Sequence, residues 1–278
     1  MDTDRSGETN RPMRTSPEKG PRRLTLDECV AQAMDGEGPE IVPYLPYILQ
    51  DAWELGTLPG TVIDLVRRHT TDGERLRVLD LGCGKGAVSV RLARDLGCRC
   101  LGIDAIGEFI GTAREKASAF RLRRRCRFET GDIRERIHAL GRFDVIVLGA
   151  IGPVFGDHRA TLDILSPHLC PGGLIVVDDG YLEDDSPHHH PLVARRGELL
   201  RQIAAAGMQL VEEVVVARDE IEDMDRAMFR GLEKRCRELI GQHPDKRDLF
   251  AGYIRRQAEE NDWLEQKIVC AVLAIRKQ

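Results

Sequence analysis

The chain has 278 residues, 42% of them hydrophobic and 31% charged, with a formal net charge of −5. That length supports a sizeable core and one to two domains without disulfides or metals. No run approaches the roughly 20 apolar residues of a membrane span, and the acidic total runs against the basic excess of a nucleic-acid binder. The eight cysteines are scattered with no CxxC pair, and Met1 to Arg23 has no apolar core of a signal peptide. Reduced thiols and a cytoplasmic location are expected.

Residues 1–23 carry almost nothing apolar and read as a disordered tail. Residues 24–278 read as one domain. Within it, 24–70 is a helical cap. Leu26, Cys29, Val30 and Ala33 suit a short amphipathic helix, and Val62, Ile63, Leu65 and Val66 mark another. Between them lies an aromatic-rich stretch with Tyr44, Tyr47, Trp53 and Glu54.

From residue 77, short apolar runs alternate with amphipathic segments. The runs fall at 77–81, 99–104, 126–129, 143–148 and 174–178, and the helical patterns at about 86–96, 106–119, 158–168 and 193–206. This is the sequence form of βαβ units on a parallel sheet covered on both faces. Two more strands are expected at 209–216 and 268–275. The span between them, 217–267, carries apolar residues at helical spacing on either side of Pro244 and reads as an inserted helical pair.

The most informative segment is Asp80-Leu81-Gly82-Cys83-Gly84-Lys85-Gly86. A buried strand runs into alternating glycines and then a helix, which suits a ligand that approaches the backbone closely. It is not a P-loop, because Lys85 is followed by Gly86 and not by a hydroxyl residue. The second strand ends in Asp104, 18 residues after Gly86, where a carboxylate accepts from ribose hydroxyls. The third strand is followed by Asp132, which suits either an adenine amino group or the N-cap of a helical turn. A Pro-Gly-Gly turn at 171–173 announces the fifth strand.

These four motifs, in this order, resemble the class I S-adenosylmethionine-dependent methyltransferases. The resemblance covers about 44–216 and 268–277. It implies a Rossmann-like α/β fold: a seven-stranded sheet of order 3-2-1-4-5-7-6 with strand 7 antiparallel. It also implies S-adenosylmethionine as cofactor. Asp80, Gly82, Cys83, Gly84 and Gly86 would seat its methionine part. Asp104 and Ala105 would hold the ribose, Asp132 and Ile133 the adenine, and Leu148 and Gly149 would close the site from the fourth strand. Cys83 reads as a small filler, and Lys85 as either a partner of the cofactor carboxylate or an exposed loop lysine.

Ligands of open α/β sheets bind at the carboxyl ends of the strands. After the fifth strand the chain reads as one loop with Asp178, Asp179, Tyr181 and the triplet His188-His189-His190. Asp178, Asp179, Tyr181 and Glu54 are therefore candidates for orienting or deprotonating an acceptor. Tyr44, Tyr47 and Trp53 would wall its pocket. No metal is expected, since Gly149 and Ala150 offer no ligand opposite the two aspartates. The basic run Arg121 to Arg127 lies before the third strand, away from this end, and reads as a solvated face. The expected partner is a small-molecule methyl acceptor, with no nucleic acid and no membrane. The alternatives are an RNA or protein methyltransferase, a non-catalytic cofactor-binding module and, more remotely, a polyamine synthase on the same fold.

Overall fold

The computed structural model describes residues 23–278; the expected tail lies, apart from Arg23, outside the described residues. The strands are β1 (Arg77–Leu81), β2 (Arg99–Asp104), β3 (Cys126–Thr130), β4 (Phe143–Gly149), β5 (Leu169–Tyr181), β6 (Met208–Val215) and β7 (Val269–Lys277). They form one sheet of order β3-β2-β1-β4-β5-β7-β6. The first five strands pair in parallel, and β7 runs antiparallel to both β5 and β6. Order and direction are those the resemblance implies.

The helices are α1 (Leu26–Ala33), α2 (Leu45–Ile48), α3 (Pro59–His69), α4 (Ala87–Leu96), α5 (Gly107–Ala119), α6 (Ile133–Arg136), α7 (His158–Leu165), α8 (Arg196–Ala205), α9 (Arg218–Gln242) and α10 (Arg247–Gln266). Alternation along the strands sorts side chains between two layers. Val78, Val145, Val147 and Val176 pack with residues of α3, α4 and α5. Leu79, Leu81, Ile146 and Ile175 pack with residues of α6, α7 and α8. Both faces are dry, which is why the strands read as continuous apolar runs.

A third cluster joins the N-terminal segment to the 217–267 span. Leu45, Ile48 and Leu49 meet Leu232, Cys236 and Leu239 of α9 and Phe250 and Tyr253 of α10. Ile106 and Phe109, at the start of α5, belong to the same cluster. The two helical segments are thus one body, seated where α5 leaves the carboxyl end of β2.

One element differs from the sequence reading. A strand over 174–178 was expected, with a loop following. Instead β5 continues to Tyr181, because β7 pairs with its end: Asp178 with Val272, Asp179 with Ala271, Gly180 with Cys270 and Tyr181 with Val269. Strand 7 lies some ninety residues downstream, so nothing local announces the extension. Asp178, Asp179 and Tyr181 are consequently strand residues, and the pleat decides where each side chain points.

Candidate active site

The glycine loop is shaped by three positive-φ residues. Gly82, Gly84 and Gly86 have φ of 70°, 51° and 74°. At Gly82 a β-carbon would stand 2.4 Å from Ile151 Cγ2, and at Gly86 one would stand 2.8 Å from Ala113 Cβ and 2.9 Å from the Phe128 ring. Backbone hand and space both exclude side chains here. The amides of Gly82 and Cys83 donate to the Ile103 carbonyl at 2.8 and 3.1 Å, tying the loop to the end of β2.

Asp104 completes that tie. Its Oδ2 accepts from the Gly84 amide at 2.8 Å and its Oδ1 from the Ile106 amide at 2.9 Å. Burial raises its pKa above the ordinary value, and these amide donors oppose the rise. Asp80 lies deeper, 2% exposed. It accepts from Ser89 Oγ at 2.6 Å, which fixes the start of α4. Burial pushes its carboxyl up to about 6, against the lowering effect of Ser89.

These groups line a cavity with about 960 Å³ of empty space, its mouth included. Asp80, Gly82, Cys83, Gly84, Asp104, Ala105, Asp132, Ile133 and Gly149 all reach it. Gly86 and Leu148 do not; Gly86 is the N-cap of α4 and Leu148 is buried in the sheet. The side facing the sheet's carboxyl ends is covered by Leu26, Cys29, Val30, Ala33 and Met34 of α1, and by Trp53, Leu55 and Thr57. The sequence marks the α1 residues only as an amphipathic stripe, and a stripe does not say what it covers. Ala150, Ile151 and Val154 close the β4 side. They sit in a loop without periodicity, so no local signal announces them.

Asp132 does what its N-cap reading describes. Its Oδ1 accepts from the Arg134 amide at 2.9 Å. The Arg134 side chain then grips both oxygens, with Nη2 to Oδ2 at 2.7 Å and Nε to Oδ1 at 3.0 Å. Burial opposes ionisation, but the Arg134 bonds prevail and hold this carboxyl below its ordinary value.

Lys85 is not an exposed loop lysine. It is 4% exposed, and its Nζ donates to the Leu49 and Ala52 carbonyls at 2.5 and 2.6 Å. Trp53 Nε1 donates to the Lys85 carbonyl at 3.0 Å. The cap is therefore docked on the glycine loop through one residue of that loop.

Of the acceptor-side candidates, only Trp53 lines the cavity. Tyr47 instead donates its hydroxyl to Glu238 at 2.7 Å, and Tyr44 accepts from Lys246 Nζ at 2.5 Å. Both tyrosines fasten the cap to the inserted helices. Glu54 pairs with Arg91 on α4. Asp179 and Tyr181 lie on the α7–α8 face: Asp179 meets His158 Nε2 at 3.1 Å, and Tyr181 donates to Glu213 at 2.5 Å. Asp178 faces the other layer, near Thr57, which lines the cavity. Burial pushes Asp178 up to about 7, Asp179 adds to the rise, and the nearby polar groups of Thr57 and Leu58 oppose it. The histidine loop packs elsewhere, with His188 and His190 edge-on to Trp263 of α10.

Known proteins bear on this arrangement. The sequence profile of the methyltransferase-domain family matches residues 72–228. Trans-aconitate 2-methyltransferase of Deinococcus radiodurans is 34% identical over 113 residues, 40% of this chain and 41% of that protein. Phosphoethanolamine N-methyltransferase 3 of Arabidopsis thaliana is 27% identical over 202 residues, 67% of this chain and 41% of that protein. The chain thus spans about two-fifths of the length of these relatives. A methyltransferase of Geobacter sulfurreducens, solved with S-adenosyl-L-homocysteine, superposes with a TM-score of 0.69 at 21% identity, over 85% of this chain and 98% of that one. At that identity the likeness speaks for the fold. The family profile spans more than half of the chain, over the glycine loop and the strand ends that form the cavity, and the chain belongs to the class I S-adenosylmethionine-dependent methyltransferase family.

Proposed function

We propose that the protein transfers a methyl group from S-adenosylmethionine to a small-molecule acceptor. The observation that carries this reading is the enclosure of the cavity. Strand ends and the glycine loop form its floor, and α1 with Trp53, Leu55 and Thr57 covers it. A pocket roofed in this way suits a compact ligand, whereas a polymer needs a track along the surface. Two relatives are named for small acceptors, trans-aconitate and phosphoethanolamine; another is named for ribosomal protein L11.

The residues present fit the cofactor. Each Asp104 oxygen has given one acceptor site to an amide, and a carboxylate oxygen has a second to offer a ribose hydroxyl. Gly82 and Gly84 present bare backbone to the cavity. Asp80 gives its methionine end a negative charge to face an ammonium. Ala105 and Ile133 offer apolar surface to a purine ring. Asp132, gripped by Arg134, shapes that end of the cavity beside Ile133.

The cofactor supplies a methyl group on a sulfonium, which leaves by in-line displacement. Among the described cavity-lining residues, the carboxylates and the ammonium are Asp80, Asp104, Asp132 and Lys85, and each already has a structural partner. Asp178, Asp179, Tyr181 and Glu54 stand outside the lining. In this reading the chain's part is alignment of the two reactants and exclusion of water.

The test is incubation with methyl-labelled cofactor and a cell extract split into small-molecule and macromolecular fractions. Label in a small-molecule product supports the reading. Label confined to RNA or protein contradicts it, and cofactor binding without transfer to either fraction favours a non-catalytic module.

A further inference from the structure

The first residues of four adjacent parallel strands line an open groove, with about 1510 Å³ of empty space counting the solvent at its mouth, at the end of the sheet opposite the glycine loop. β1 begins with Arg77 and β2 with Arg99, and the two are paired in register. Arg123, Arg124, Arg125 and Arg127 arrive beside them on the approach to β3 and in its first residues. Arg114 of α5 is the seventh arginine of the lining, and Glu115 is its single carboxylate. No lysine lines it.

Some of these guanidiniums are occupied. Arg114 Nη2 donates to the Phe128 carbonyl at 2.7 Å, Arg125 to that of Gly97, and Arg127 pairs with Glu129 at 2.8 Å. Arg77 meets Asp144 at 3.6 Å. Arg99, Arg123 and Arg124 are exposed and make no ion pair among the described residues. The floor includes Leu101 and the half-buried ring of Phe143, the first residue of β4. The basic run alone has no aromatic partner in sequence, and the sheet supplies one from the neighbouring strand.

We infer that this groove binds a single-stranded polynucleotide. Guanidinium forks match phosphate oxygens bidentately, which a set of lysines does not do. A half-buried aromatic ring at the end of a row of guanidiniums offers an edge on which an unpaired base can stack. A concave track suits a strand better than the flat charge of a membrane. Five residues of β1 separate the groove from the glycine loop, about 16 Å at strand rise. The bound strand is therefore a tether and not the methyl acceptor, and the net charge of −5 conceals it because the arginines are segregated on one end.

The experiment is fluorescence anisotropy of the full chain with a labelled single-stranded 12-mer at several salt concentrations. Binding is expected, with the logarithm of affinity falling against log salt by about 0.7 per phosphate contacted. The triple variant Arg99→Gln/Arg123→Gln/Arg124→Gln should lose at least tenfold in affinity and show a slope shallower by about 2. Its circular dichroism and its calorimetric titration with S-adenosylhomocysteine should be unchanged. Phe143→Leu should weaken binding severalfold with the slope kept. No binding at 50 mM salt, equal binding by the triple variant, or equal affinity for polyglutamate or anionic vesicles would each overturn the inference.

Discussion

The ammonium of Lys85, inside the glycine loop, donates to the Ala52 carbonyl oxygen at 2.6 Å, and to that of Leu49 beside it. A charged donor with two carbonyl acceptors contributes about 1.5–3 kcal/mol per bond. This contact joins the cofactor loop to the cap, so binding and cap order are coupled. Lys85→Met keeps the aliphatic volume, removes both bonds and leaves the Ala52 carbonyl without its donor, while the Leu49 carbonyl keeps the Ala52 amide at 3.1 Å. It should cost about 3 kcal/mol of stability, read as a fall in urea midpoint at constant slope, and weaken S-adenosylhomocysteine. An unchanged midpoint would show that the cap docks by apolar packing alone.

Gly82→Ala separates backbone hand from space. The φ of 70° alone costs about 1–2 kcal/mol for a non-glycine residue. The new β-carbon also meets Ile151 at 2.4 Å. The substitution should destabilise the fold and abolish cofactor binding. Adding Ile151→Ala should recover the steric part in thermal unfolding and leave the backbone part. Complete recovery would contradict the assigned strain.

Asp178 gives the stability a pH dependence of definite sign. Burial raises its pKa from 3.8 to about 7 in the folded chain. The folded state therefore holds a proton that the unfolded state has released, and stability falls as pH rises from about 4 to about 7. One such group changes stability by at most about 1.4 kcal/mol per pH unit. Asp80, raised to about 6 by burial, acts in the same direction. Asp178→Asn should flatten the unfolding profile between pH 4 and 7 and stabilise the chain at pH 8. A steeper profile, or loss of stability at pH 8, would show the aspartate to be compensated by a cation.

The two cap tyrosines should act on stability and not on the cofactor. Tyr47→Phe removes one hydrogen bond to Glu238 and should lower the urea midpoint with its slope unchanged. Calorimetry should give S-adenosylhomocysteine affinity within twofold of the parent. A tenfold loss would place Tyr47 nearer the cavity than its contacts do.

The parts legible in sequence were those whose signal is local. Continuous apolar runs marked the parallel strands, and the glycines and Asp104 marked the floor of the cavity because one short β–loop–α–β segment holds them all. What was not legible depends on distant chain. Tyr44 and Tyr47 looked like pocket walls, yet their hydroxyls are taken by Lys246 and Glu238, about two hundred residues away. Asp179 and Tyr181 looked like loop acids and bases until β7 extended β5 and the pleat turned both toward α7 and α8. Lys85 was ambiguous because its acceptors are main-chain carbonyls, which every residue carries.

The central claim is that the cavity at Asp104 is a working S-adenosylmethionine site. Isothermal titration with S-adenosylhomocysteine tests it most directly, run on the parent chain and on Asp104→Asn, which keeps size and removes charge. One-to-one binding by the parent, weakened at least tenfold in the variant with folding intact, is the predicted result. No heat with the parent, or the same affinity for both proteins, would contradict the account.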